Sequence, residues 1–147
     1  MELIKFITIA VMTLITTVGF TQNKTTDYLS MGWGNVATAM PTEWYGSHEA
    51  QLVAENVILS QKAIGGWEKN KDYHHPFSEA EKSHYKNNKA EIGATFDNGA
   101  TITELRFLAK MHSQIQDNHY KKAFEISLRH NTKMADGHNF FQCAKGV

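Results

Sequence analysis

Three short stretches hold the side chains best suited to chemistry: Trp67-Glu68-Lys69-Asn70 after a glycine pair, Asp97-Asn98-Gly99, and Arg106 within an apolar run. Trp67, together with Trp44 and Tyr45, offers flat apolar faces of the kind that stack on sugar rings through dispersion. An indole in a loop between helices also plugs the end of a core, and both readings of Trp67 stand. Lys69 and Lys71 beside it would draw a polyanion, or would form an ordinary solvated loop. Asp97 and Asn98 carry oxygen donors for a substrate or a hard cation. One carboxylate and one amide fall short of the roughly six to eight oxygens that calcium takes, and the same pair also makes a turn ahead of a helix. Trp67, Lys69, Asp97 and Asn98 are therefore the candidate substrate-binding residues, with no catalytic residue and no metal ligand assigned. Arg106 sits on a helical pattern, where pairing or solvated roles prevail over catalysis. The eight histidines include no His-Glu-x-x-His spacing, so zinc is not expected. No Gly-x-Ser-x-Gly elbow, phosphate loop or dinucleotide fingerprint is present, which removes the commonest hydrolase, kinase and dehydrogenase readings.

These residues must be positioned by helices. Ser47 caps a helix with Glu49 in its first turn, and Ala50, Val53, Ala54 and Val57 recur at i, i+3, i+4 and i+7, giving one buried face that Gly65-Gly66 terminate. Ser78 and Glu81 form a capping box for a second, more polar helix to about Asn87. Thr101 and Glu104 repeat that box for a third, whose apolar face is Ile102, Leu105, Leu108, Ala109 and Ile115. Asp117 or Asn118 caps a fourth carrying Tyr120, Ala123, Phe124 and Leu128. No run alternates with period two, so the expected fold class is all-α.

Balanced charge, 15 Lys plus Arg against 15 Asp plus Glu, gives no basic footprint for nucleic acid. Residues 1–21 read as a signal peptide: Lys5, an apolar run from Phe6 to Val18, then small residues around Phe20, with cleavage before Gln22. The apolar run is shorter than the ~20 residues that span a bilayer, so export to the periplasm or medium is expected, with no stable membrane partner after cleavage. The lone Cys143 has no partner in the chain for a disulfide. Residues 22–46 show no sustained period and read as an irregular lead-in.

The Trp44-Tyr45-Gly46-Ser47, Gly65-Gly66-Trp67-Glu68-Lys69-Asn70 and Asp97-Asn98-Gly99-Ala100-Thr101 blocks occur in that order. Ala54-Glu55-Asn56-Val57, Pro76-Phe77-Ser78-Glu79-Ala80-Glu81-Lys82 and Leu105-Arg106-Phe107-Leu108-Ala109-Lys110 lie between and after them. Over about residues 41 to 128 the chain thus resembles a pectate lyase of polysaccharide lyase family ten. The resemblance implies a partial (α/α) toroid-like domain of helical hairpins and calcium-assisted β-elimination of polygalacturonate or pectin. It also implies a catalytic arginine and acidic calcium ligands in a later part of the family's chain. Arg106 falls on the family's Leu-Arg-Phe-Leu-Ala segment and not on that arginine.

Beyond Leu128 the apolar period breaks. Read from the third base of each codon, residues 129–147 permit a second Gly-Gly-Trp loop followed by Pro-Gln-Phe-Phe, with Met134-Ala135 forcing a glycine codon. The expected organisation is a signal peptide (1–21), a lead-in (22–46), the N-terminal helical part of a lyase domain (47–128) and a frameshifted tail (129–147). On this reading the chain is an inactive fragment that does not bind the family's calcium. The alternative is a short non-catalytic secreted helical protein that binds acidic polysaccharide.

Overall fold

A computed structural model describes residues 27–95 and 99–135, with side chains described through Arg129. The expected leader at residues 1–21, the candidates Asp97 and Asn98, and all but the start of the expected tail lie outside the described residues. Five helices make up the described part: α1 (Trp33–Ala39), α2 (His48–Ser60), α3 (Glu79–Asn87), α4 (Ile102–Ile115) and α5 (Asn118–Ala135). Short 3-10 turns at Tyr28–Ser30 and Thr42–Gly46 flank α1. Among the described residues there is no strand, only an isolated antiparallel bridge between Glu68 and Ala94. None of these helices is long and apolar enough to cross a membrane.

The lead-in is more regular than its sequence reading. Trp33, Val36, Ala37 and Met40 fall at i, i+3, i+4 and i+7 and are all buried, which is why this stretch forms α1 despite Gly32 and Gly34. α2 begins as expected, with the Ser47 hydroxyl accepting from the Ala50 N–H at 3.2 Å, and it buries Ala50, Val53, Ala54 and Val57. It ends at Ser60, before the glycine pair, because Gln61 leaves the helical conformation and turns inward. There its amide donates to the carbonyls of Gly65 and Ala123 and to the Ser127 hydroxyl. The capping box of α3 forms in full.

α4 departs from expectation in two ways. Thr101 does not cap it. Its side chain makes no cap bond and its backbone sits at φ 63°, and the Glu104 carboxylate, instead of closing a box, accepts from the Trp33 indole at 2.7 Å. The apolar face is also rotated. Leu105, Phe107, Leu108 and Met111 are buried, whereas Ile102 and Ala109 are exposed. This rotated face is covered by α1, α2, α5 and the 3-10 turn at Thr42–Gly46, so α4 is the central helix and not an open hairpin arm. Each Val, Leu or Phe so buried contributes about 1.5–3 kcal/mol.

α5 is capped by the Asp117 carboxylate, which accepts from the His119 N–H at 2.8 Å. It buries Tyr120, Ala123 and Ser127, while Leu128, expected inside, is exposed. Ser127 takes the inward position because its hydroxyl bonds to Gly65 and Gln61. The helix continues seven residues past Leu128, through the start of the expected tail.

Candidate functional site

The loop at residues 66–72 is hung from the core by its indole. Trp67 is fully buried; its ring N–H donates to the Val57 carbonyl at 2.7 Å and its backbone N–H to the Thr101 hydroxyl at 3.0 Å. That hydroxyl donates in turn to the Thr95 carbonyl at 2.8 Å. Gly66 is required here, since an added Cβ would stand 2.8 Å from the Ala94 Cβ and 3.0 Å from the Thr101 hydroxyl. Of its two sequence readings, Trp67 is therefore the core plug. It presents no face to a sugar ring, which corrects its place among the substrate-contacting candidates.

Beyond this anchor the chain turns outward. Partial burial on its own would raise the Glu68 carboxyl, but the buried Lys62 ammonium 2.8 Å away and Lys71 at 3.8 Å hold it below the usual range. The Tyr73 hydroxyl donates to the Glu68 carbonyl at 3.1 Å, and Asn70 adopts a left-handed φ of 58°. Lys69, Asn70, Lys71 and Asp72 are consequently displayed to solvent. They face the start of α4 across a cleft of about 360 Å³ that also takes in Trp33, Gly99, Thr103 and Glu104. That volume falls at the lower end of the range for small-molecule sites.

Glu104 lies at the edge between cleft and core. It is 3 % exposed; Oε1 holds the Trp33 indole, and Oε2 has no hydrogen-bond partner. Burial pushes its carboxyl up, opposed by the indole N–H and by the backbone amides of the helix start. The Trp33 ring is fixed on its other contacts by Tyr73, edge-on at 5.6 Å, and by His74, stacked at 6.2 Å.

Thus Lys69 lines the cleft and Trp67 supports it from behind, while Asp97 and Asn98 are not placed. Trp33, Asp72 and Glu104 were missed. The Thr-x-x-Glu spacing masked Glu104 as a capping residue, and nothing local ties Trp33 to a carboxylate 71 residues away. Trp44 and Tyr45 pack against each other, edge to face at 5.4 Å, away from this cleft. Arg106 is exposed on α4 and does not line the cleft.

The sequence model described as pectic acid lyase matches residues 61–138. The chain belongs to the pectic acid lyase family. The matched part contains the loop, α3, α4 and α5, hence every wall of the cleft except Trp33 and Gly34, and it runs ten residues past Leu128. No curated protein and no solved structure matches the chain. Membership implies pectin or polygalacturonate as substrate. Among the described residues no group of three His, Cys, Asp or Glu side chains could hold a metal ion, so no calcium site is evident there. Glu68 is already engaged by Lys62, and Glu104 is engaged by an indole.

Proposed function

We propose that this chain is the N-terminal helical part of a secreted pectate lyase that cleaves polygalacturonate by calcium-assisted β-elimination. In this reading residues 1–21 direct export and the helices described here begin an (α/α) toroid. The observation that carries the proposal is that the family match spans the loop and helix start that build the cleft. Elimination removes the proton beside the uronate carboxylate and so requires a base and a cation to stabilise the developing charge. The residues of this chain contribute to binding: Lys69 and Lys71 on the rim attract the uronate carboxylates, and Asn70 offers an amide for sugar hydroxyls. Asp97 and Asn98 are retained as substrate contacts because they adjoin Gly99, which lines the cleft. Trp67 acts only by holding the loop. The base and the calcium carboxylates are supplied from outside the described residues, and the chain alone does not turn over substrate.

The test is to incubate the purified chain with polygalacturonate, with and without calcium, and to follow the ultraviolet absorbance of the unsaturated product alongside retention in a polygalacturonate-containing native gel. Retention without product, weakened several-fold by the double change Lys69→Ala and Lys71→Ala, is the expected outcome. Calcium-dependent product would refute the inactive-fragment reading and leave the lyase assignment standing. Retention that survives the double change would remove the cleft from the binding surface. The two exposed lysines also favour a second reading, a non-catalytic protein that binds acidic polysaccharide. Restoring a downstream coding frame that yields activity would decide against it.

A further inference from the structure

Three carboxylates line the cleft, and Glu68 is the one held from behind by a buried cation. Glu104 is buried and engaged by the Trp33 indole, and Asp72 is exposed at the rim. The two oxygens of Glu68 have separate environments. Oε1 faces inward, 2.8 Å from the Lys62 ammonium, which is itself anchored on the Asn88 carbonyl at 3.2 Å. Oε2 stands 3.8 Å from the Lys71 ammonium, beyond hydrogen-bond reach, and takes no hydrogen bond among the described residues. Unlike Oε2 of Glu104, it is not shut off from water, and the Glu68 side chain keeps 24 % of its surface exposed.

An accessible, charged oxygen without a hydrogen bond is an acceptor, and its surroundings fix where it stands. The Glu68 carbonyl accepts from the Tyr73 hydroxyl and its backbone pairs with Ala94, so main chain and side chain are both set before a ligand arrives. Partial burial opposes ionisation, but Lys62 and Lys71 hold the carboxyl below its usual range, which keeps it an acceptor. The Lys62 ammonium also offsets that charge from the inner side at contact distance. The lining itself has two ammoniums, on Lys69 and Lys71, against three carboxylates. Net charge therefore does not select a ligand here, and directional hydrogen bonds must. An acidic sugar meets an ammonium for its carboxylate and, 3.8 Å from it, an acceptor for a hydroxyl proton.

We infer that Glu68 is a specificity-determining residue of this cleft: its Oε2 accepts a hydrogen bond from a ring hydroxyl of the bound uronate, so the cleft takes galacturonan with free ring hydroxyls and turns away chains esterified there. This rests on the polygalacturonate reading above and adds to it which groups of the sugar are read. An O-acetyl ester has no proton to donate, and it leaves the charged oxygen desolvated without a partner. A methyl ester on the uronate carboxylate removes a different contact, the one made by Lys69 and Lys71.

Calorimetry on the full chain tests this with three oligogalacturonates: unesterified, O-acetylated on the ring hydroxyls, and methyl-esterified on the carboxylates. The wild type is expected to bind the unesterified chain at least about tenfold more tightly than the acetylated one, the lower end for a hydrogen bond to a charged group. Glu68→Gln leaves Lys62 an acceptor and puts an amide N–H₂ in place of Oε2, so it should no longer distinguish these two ligands. The paired change Lys62→Met with Glu68→Leu removes the acceptor without stranding a buried ammonium, and it should lose the same preference. Both variants should still favour unesterified over methyl-esterified chains. Equal wild-type affinity for unesterified and acetylated chains would overturn the inference. An unchanged ratio in both variants would mean that bulk excludes the acetyl group, which overturns the role of Glu68 and leaves polygalacturonate binding intact. Loss of both preferences together in a folded variant would point to a disordered rim and also count against Glu68. Absence of binding of the unesterified chain by the wild type would overturn the polygalacturonate reading and this inference with it.

Discussion

At the scale of single residues, the molecule places several polar groups where solvent cannot reach them, and each has a consequence. Thr101 is β-branched yet holds φ 63°, a conformation that is a genuine outlier for such a residue. Its hydroxyl explains why it persists, since it bridges Trp67 and Thr95 and so ties the loop to the start of α4. His74 is 1 % exposed and neither ring nitrogen makes a hydrogen bond. Burial first, then the neighbouring His75, hold its titration below the ordinary imidazole range, opposed by Asp72 and by the Met31 and Leu29 backbone, whose approach falls short of hydrogen-bond geometry. The unfolded chain therefore takes up a proton that the folded chain resists. The stability due to neutral His74 is complete above the unfolded value of about 6.5 and is lost as pH falls from there toward the folded value. Urea midpoints measured between about pH 5 and pH 7.5 should decline more steeply with acid in the wild type than in His74→Leu. Parallel curves would show that the imidazole is not the responsible group.

Among the elements, the turn that follows α2 is tied to α5 by a polar seam. Gln61 and Ser127 converge on the Gly65 carbonyl, and this requires the backbone of the two segments to lie almost in contact. Gly65 permits the approach twice over: its φ is +91°, and an added Cβ would meet the Ile126 carbonyl oxygen at 2.9 Å. Gly34, by contrast, has open space around it on α1. Gly65→Ala should thus destabilise the protein by at least about 1–3 kcal/mol through backbone strain, with the steric clash in addition. Gly34→Ala should be neutral or stabilise by up to about 1 kcal/mol. Chemical denaturation of both variants checks the pair, and similar effects would mean that the seam does not have this geometry. α3 packs mainly on α2 and buries none of its residues, so its complete capping box is its main local support.

For the whole molecule, the arrangement around α4 predicts cooperative behaviour. Trp33, Tyr45, Val57, Trp67, Phe107 and Met111 belong to one buried cluster drawn from α1, α2, the loops and α4. The described part should unfold in a single transition, with tryptophan fluorescence and far-ultraviolet circular dichroism coinciding. Removal of the Trp67 ring should cost about 3–5 kcal/mol, as for other buried aromatics, so Trp67→Ala reports on folding and not on sugar binding. Two separated transitions, or a Trp67→Ala variant of unchanged stability, would contradict the shared core.

Much of this protein was legible from its sequence, because the forces involved are local. Ser47, the Ser78–Glu81 box and the α2 apolar period act over one or two turns of chain, so the start of α2, the position of α3 and the all-α class followed from side-chain spacing alone. The ordered Gly-Gly-Trp and Asp-Asn-Gly blocks likewise carried the family. What only the tertiary structure decided depends on neighbours that are distant in sequence. A tryptophan can stack on a ligand or fill a core, and Trp67 was assigned to the core by a bond to Val57 and another to Thr101. Glu104 can cap its own helix or serve a distant group, and it was drawn to Trp33 because a buried indole N–H needs an acceptor that the local backbone does not provide. The cleft was set by how those long-range requirements were met, and residue spacing along one chain does not encode which partner fills them.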